Sequence, residues 1–362
     1  MREITITSND AGRRLDRFLR KYLRNASLSE IYKLIRKDVR IDGKRRTESY
    51  ILREDEILTL YIADDVLDRL TGASDHRKVS EGSGSKAKRQ FRIIYEDAAI
   101  LVADKPYGLL THGDRSEKKN HLANQVRDYL IQRGEYDPRS EKVFSPAPAN
   151  RLDRNTTGLV LFGKTSPALK GLNMMIREDL TDKYYLTIVH GTVDRAMTLT
   201  GQLTKDEAHN KVSISGIHSD TVPEDGSASL HTRNEDRSLP VLTEVRPLER
   251  LDFGNGMKAT LLEVRLVTGR SHQIRAHLAG IGHPVVGDSK YSSSGLQVRK
   301  LNEHLAKTCR LSTQLLHAYR IEFGEAKEGA ECLAYLTGKS FISPLPDRFS
   351  RIYRGMGGRI TF

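Results

Sequence analysis

Residues Asn150-Arg151-Leu152-Asp153-Arg154-Asn155-Thr156-Thr157-Gly158-Leu159-Val160-Leu161-Phe162-Gly163-Lys164 set a carboxylate between two arginines on a polar turn, immediately ahead of an apolar run. The succession from Leu159 to Phe162 is the pattern of a buried strand, and Gly158 opens it after a Thr-Thr pair suited to a turn. Asp153 therefore lies at the mouth of a strand. The guanidinium groups of Arg151 and Arg154 would keep it ionised at neutral pH, as a nucleophile or as an ion-pair partner. Taken alone, Arg-Leu-Asp-Arg reads more readily as a surface ion-pair cluster, so the assignment rests on the rest of the chain.

The chain has 362 residues and a formal net charge of +12, long enough for one sizeable domain and a smaller one. The opening MREITITSNDAGRRLDRF carries no apolar stretch, and no run reaches the ~18 apolar residues of a bilayer span. A cytoplasmic protein that does not engage membranes is expected. Cys309 and Cys332 are the two cysteines, without a CxxC pair or a histidine at a zinc-ligand interval, so neither a disulfide framework nor a metal is expected. Much of the positive charge is local: residues 13–46 carry an excess of nine, which points to phosphate.

Leu15, Phe18, Leu19 and Leu23 recur at helical spacing, and Ile31, Leu34 and Ile35 form a second helical face with Ser29 as a plausible N-cap. Val39-Arg40-Ile41-Asp42-Gly43-Lys44 alternates into a turn, and Ile57 to Ile62 reads as another strand. Residues 1–63 thus form a small basic unit. Residues 64–90 read as a flexible linker, and 91–362 as the larger domain. Within the larger domain strand-like pieces (Phe91 to Tyr95, Ile100 to Ala103, Tyr185 to Val189, Ala259 to Leu266) alternate with helical ones (His121 to Arg133, Ser166 to Asp179, His272 to Ile281). That is an α+β arrangement. The polar stretch from Asp206 to Leu239 reads as a loop-rich excursion.

RLDRNTTGLVLFGKT resembles the signature of the RluA-type pseudouridine synthases, in which the Asp is the nucleophile. Asp104-Lys105-Pro106-Tyr107-Gly108-Leu109-Leu110-Thr111-His112, Asp182-Lys183-Tyr184-Tyr185, and Thr268-Gly269-Arg270-Ser271-His272-Gln273-Ile274-Arg275-Ala276-His277 with Gly282-His283-Pro284-Val285-Val286-Gly287-Asp288 follow the family's order, from about residue 91 to 325. The segment SLSEIYKLIRKDVRIDGKR is similar to an S4-type RNA-binding module and looks most like the RluC branch, with an RluD-type target as the runner-up. The resemblance implies a mixed, largely antiparallel sheet in the catalytic domain beside a small α/β S4-like domain. It also implies conversion of specific uridines in structured RNA, most nearly large-subunit ribosomal RNA, without cofactor or metal. No heptad pattern or long apolar surface argues for an obligate protein partner, and a monomer is expected.

It further implies Asp153 as nucleophile, Arg270 as its ion-pair partner, and Tyr185 stacked on the base, Tyr184 being the competing candidate. Arg151 and Arg154 would hold RNA beside the flipped uridine, and Arg17, Arg20, Lys33, Arg36, Lys37, Arg40 and Lys44 would bind it from the small domain. A single carboxylate can serve by addition to sugar or base, or by elimination, and the sequence leaves these open. Asp104 reads as strand-end structure, while Gln273, Arg275 and His277 would hold the strand-to-helix junction or touch phosphate. Asn150 departs from the family's histidine. Alternatives of another kind are an RNA-binding assembly factor with an idle catalytic domain, and a synthase acting on another RNA such as tRNA.

Overall fold

The computed structural model describes residues 1–72, 89–138, 141, 143–206, 211–221, 239–252, 257–292 and 295–362. The chain begins with β1 (Arg2–Thr5), α1 (Leu15–Tyr22), α2 (Leu28–Lys37), β2 (Val39–Ile41), β3 (Ile57–Leu60) and α3 (Asp64–Thr71). The three strands form an antiparallel sheet in the order β1-β3-β2. The two predicted helical faces meet over it, burying Leu15, Phe18, Leu19, Leu23, Ile31 and Ile35 with Leu58 and Leu60. Helix α2 is capped two residues earlier than expected. Ser27, not Ser29, accepts the N–H of Glu30, and Glu30 reaches back to the Ser27 N–H at 2.8 Å; that reciprocal pairing requires the acid three residues after the cap.

The expected linker starts too early. Residues 64–71 are a helix with Asp64 and Asp65 in its first turn and a left-handed Gly72 at its end, and its Leu67 and Leu70 join the core of the small unit. Residues 73–88 of the expected linker lie outside the described residues. The small unit meets the larger domain through Asn9, which accepts the Ser166 N–H at 2.8 Å and donates to Glu141 at 2.7 Å, and through Arg13, which donates to Ser166.

The larger domain runs β4 (Arg92–Glu96), β5 (Ile100–Lys105), α4 (Leu122–Gln132), β6 (Ala147–Pro148), β7 (Thr157–Gly163), α5 (Ser166–Arg177), β8 (Thr181–His190), β9 (Met197–Asp206), β10 (Lys211–Thr221), β11 (Leu239–Asp252), β12 (Lys258–Leu266), α6 (Gln273–Gly280), α7 (Leu296–Cys309), β13 (Leu316–Phe323), β14 (Ser340–Ile342) and α8 (Asp347–Gly355). One sheet carries all its strands in the order β10-β9-β11-β12-β8-β13-β7-β5-β4, with β14 beside β13 and β6 beside β7. The β13–β7 pair is parallel and the other pairs are antiparallel. The chain is thus α+β with a mixed, largely antiparallel sheet.

The excursion read as loop-rich contains strand β10 instead, paired along β9 with a bulge between Ser215 and His218. Val212 and Ile214 of this edge strand pack inward against Leu203, Val241, Ala276 and Tyr291, and Ile217, beyond the break in alternation, packs on Gly280; the alternation is too short to stand out from its polar neighbours. Residues 222–238 of that excursion lie outside the described residues. Gly158 sits where β7 and β13 run side by side. Its φ is +110°, and a Cβ there would lie 2.0 Å from the carbonyl oxygen of Ala318, so the backbone approach excludes any side chain.

Candidate active site

Asp153 lies in the turn before β7, and backbone clamps hold it from both sides. Before it, the Thr111 hydroxyl donates to the Leu152 carbonyl at 3.0 Å and accepts the Leu152 N–H at 3.1 Å. After it, the ammonium of Lys105 donates to the carbonyls of Arg154, Pro106 and Leu109 at 3.0, 3.1 and 2.7 Å. Lys105 is fully buried, and burial pushes it down to about 7 against the opposing charges of Asp153 and Asp104. Three carbonyl acceptors use all three hydrogens of an ammonium, which a neutral amine would not supply. The segment Asp104 to His112 therefore fixes the turn. Asp104 itself is taken by Arg92, at 2.7 and 3.0 Å.

The guanidinium that holds Asp153 comes from Arg275. Its Nη1 donates to Asp153 Oδ2 at 3.1 Å, while Nε and Nη2 grip the fully buried Asp288 at 2.6 and 2.9 Å. Burial disfavours the Arg275 charge, but the hydrogen bonds and charge of Asp288, with that of Asp153, raise its pKa on balance. The expectation that Arg270 pairs with Asp153 is corrected. Arg270 is exposed in the turn before α6, whereas Arg275 lies inside the helix with its side chain turned to the core. The flanking arginines do not hold Asp153 either: among the described residues its ion pair is with Arg275, and the ring nitrogen Nε2 of His272 stands 3.7 Å away. Arg151 is exposed at the pocket rim, and Arg154 donates to Ser116 at 2.9 Å.

Lys183 and Tyr185 alternate with Tyr184 along β8, so the first two share a face and line the pocket. Tyr184 lies on the other side, with the Arg320 guanidinium 3.9 Å from its ring centroid. Tyr185 is buried, and burial first, then the Asp153 charge, raise the pKa of its hydroxyl. It is a neutral phenol at working pH. The cavity around these groups measures about 280 Å³, and Leu152, Leu266, Ile274 and Leu316 form apolar parts of its wall.

Gln273 holds the junction as expected: it donates to the Leu242 carbonyl and the Thr243 hydroxyl at 2.9 Å and accepts from the Arg270 N–H at 3.1 Å. His277 is paired with Thr243 at 2.8 Å. Asn150 has a backbone task. Its amide accepts the Leu161 N–H at 2.8 Å and donates to the Leu159 carbonyl, extending the pairing beside β7. On the small unit, Arg17 and Arg20 on α1, Lys33, Arg36 and Lys37 on α2, and Lys44 in the following turn are exposed, while Arg40 is half-buried and bonded to the carbonyls of Lys37 and Val39.

The residue that sequence reasoning placed wrongly left a signal. Arg275 stands in the buried run Ile274 to Leu278, and a cation in an apolar helix has to be paired. His272 and Tyr291, both at the pocket wall or behind it, carried no comparable signal.

A mixed sheet whose central strand mouth presents one carboxylate, held on a buried arginine and faced by a phenol, defines an enzyme working through a single acid rather than an acid pair. The sequence profile of the RNA pseudouridylate synthase family matches residues 99–280, half of the chain, and the chain belongs to that family. It is an RNA pseudouridine synthase of the RluA type. It is 28% identical over 336 residues to Ribosomal large subunit pseudouridine synthase C of Haemophilus ducreyi, covering 89% of this chain and 88% of that protein. It is 27% identical to an uncharacterized RNA pseudouridine synthase of Mycoplasma pneumoniae, covering 95% of each. Human RNA Pseudouridylate Synthase Domain Containing 4 shares the fold, with a TM-score of 0.54 at 19% identity, over 80% of this chain and 98% of that one. No helix among the described residues is long and apolar enough to cross a membrane.

Proposed function

We propose that this enzyme converts uridines of large-subunit ribosomal RNA to pseudouridine, with Asp153 as the nucleophile and the target base flipped into the pocket. The observation that carries the reading is the fixing of Asp153, which lines the cavity, by Arg275 through Oδ2, with Oδ1 left without a hydrogen bond among the described residues. The reaction breaks the N1–C1′ bond and makes a C5–C1′ bond to the same sugar, and the hydrogen on C5 leaves as a proton. Asp153 supplies a carboxylate beside the sugar or the base; Tyr185 supplies a flat buried surface for the uracil. Asp153 and the buried Tyr185 line one pocket set into the domain, so the base has to leave its stack to reach them, at a cost of a few kcal/mol that phosphate contacts offset. Arg151 and Arg270 at the rim and the exposed cations of α1 and α2 are placed to make those contacts. The names of the relatives support ribosomal RNA as the substrate.

The test is release of tritium from ribosomal RNA labelled at C5 of uridine, with wild type and Asp153→Asn. Release by the first and none by the second is expected. Release by both would remove Asp153 from the chemistry, and release from tRNA in preference to ribosomal RNA would move the substrate.

A further inference from the structure

His272 and Tyr291 form a chain of contacts that ends on the oxygen of Asp153 already held by Arg275. Tyr291 is buried, and its hydroxyl accepts the N–H of Val212 at 3.0 Å and lies 2.9 Å from Nδ1 of His272. A phenol carries one hydrogen, and Nδ1 is the acceptor in place to receive it. An imidazole loaded in that way keeps its own proton on Nε2. That Nε2 lies 3.7 Å from Asp153 Oδ2. Tyr291 also braces the other support of Asp153, since the Arg275 guanidinium stands 5.0 Å from its ring centroid and its N–H reaches Asp288 at 3.2 Å. His272 itself has a left-handed backbone, with φ of 55°, which non-glycine residues adopt only where surroundings enforce it.

We propose that His272 is a positioning residue for the catalytic carboxylate: Tyr291 fixes its tautomer, so that an Nε2–H faces Oδ2 and Oδ1 is the oxygen presented to the uridine. This rests on the reading of Asp153 as nucleophile. The relay also gives hairpin β9–β10 a connection to the chemistry, because Val212 on β10 orients the phenol. The charged and titratable groups around the imidazole are Asp153, Arg275, Asp288, Lys290 and Tyr291, with the Lys211 ammonium 5.6 Å from the Tyr291 ring centroid. Burial, opposed by Asp153, holds the imidazole neutral.

The experiment measures single-turnover tritium release and half-saturating RNA concentration for Tyr291→Phe, His272→Asn and Asp153→Asn at about pH 6 and about pH 8. Without the phenol hydrogen the neutral ring is free to turn a lone pair toward Oδ2. Tyr291→Phe is therefore expected to lose about tenfold in single-turnover rate at about pH 8, with RNA binding unchanged. Asparagine tolerates the left-handed backbone and keeps a polar group near the Nδ1 position but does not reach Oδ2, so His272→Asn is expected to lose about tenfold at both pH values. Thermal melts identify a variant that fails to fold, and His272→Asn decides if Tyr291→Phe does. Rates near wild type in the folded variants, or a loss confined to RNA binding, would overturn the inference while an inactive Asp153→Asn keeps the nucleophile in place. An active Asp153→Asn would instead remove the reading on which it stands.

Discussion

Arg275 and Arg270 lie in one motif, five residues apart, and the structure gives them opposite environments. Arg275 joins two carboxylates in the interior, one of them wholly buried; Arg270 is exposed at the pocket rim. Arg275→Ala strips Asp153 and Asp288 of the same cation at once. A loss of about 3–5 kcal/mol of stability is expected, as for breaking a buried pair, together with loss of tritium release. Arg275→Lys restores charge without the fork and is expected to recover stability in part but little activity. Arg270→Ala is expected to keep the single-turnover rate within about twofold and to reduce the salt slope of RNA binding by about one. Urea unfolding and binding titrations at several salt concentrations separate these outcomes. A sequence motif identified the segment, but which arginine turns inward depends on where α6 starts, and that is set by the Gln273 hydrogen bonds to Leu242 and Thr243, distant in the chain.

Elements were legible where apolar periodicity was continuous. The run Leu159 to Phe162 became the buried strand β7 and the basic amphipathic hairpin became α1 and α2. Periodicity was silent for β10, whose inward-facing residues are interrupted by a bulge, and α3 was hidden in a polar stretch although its paired acids and closing glycine are end signals. The close approach of β7 to its parallel neighbour β13 was also hidden, because register between distant strands leaves no local mark. Gly158→Ala tests it. At φ of +110° and with the Ala318 carbonyl 2.0 Å from the new Cβ, either β7 or β13 has to move. A loss of roughly 3 kcal/mol or more is expected, and since Asp153 stands five residues earlier, activity is expected to fall in whatever fraction still folds. Chemical unfolding with circular dichroism reads the first, and tritium release per folded molecule the second.

Over the whole molecule, charge and burial act in different places. His190, His277 and His317 are buried, and burial pushes each down to about 4. An unfolded histidine binds its proton near pH 6.5, so between about 6.5 and 4 the unfolded chain holds more protons than the folded one. Stability is therefore full above that window and falls as pH drops through it, by several kcal/mol for the three together; the urea midpoint should be lower at pH 5 than at pH 7.5, and the difference smaller in His190→Gln.

The small unit concentrates an excess of nine positive charges within residues 13–46, although its other acids bring residues 1–72 as a whole to only +3, while Asp153, Tyr185 and Arg275 all belong to the large sheet domain and its loops. Removing residues 1–88 preserves the hydrogen bonds of Gln90 to Gln125 that begin the larger domain. It exposes Ser166 and Glu141, the polar groups that Asn9 and Arg13 engage and that become hydrated, and the apolar residue Val143, which packs on the core of the small unit. If the cations on α1 and α2 hold phosphate, the truncated enzyme requires more ribosomal RNA for half-saturation and its affinity falls less steeply with salt, while its rate at saturation stays within about twofold. A lower rate at saturation with unchanged affinity would mean that the small unit acts on the geometry of the site through α5, whose N-terminal Ser166 it holds, and not through its charge.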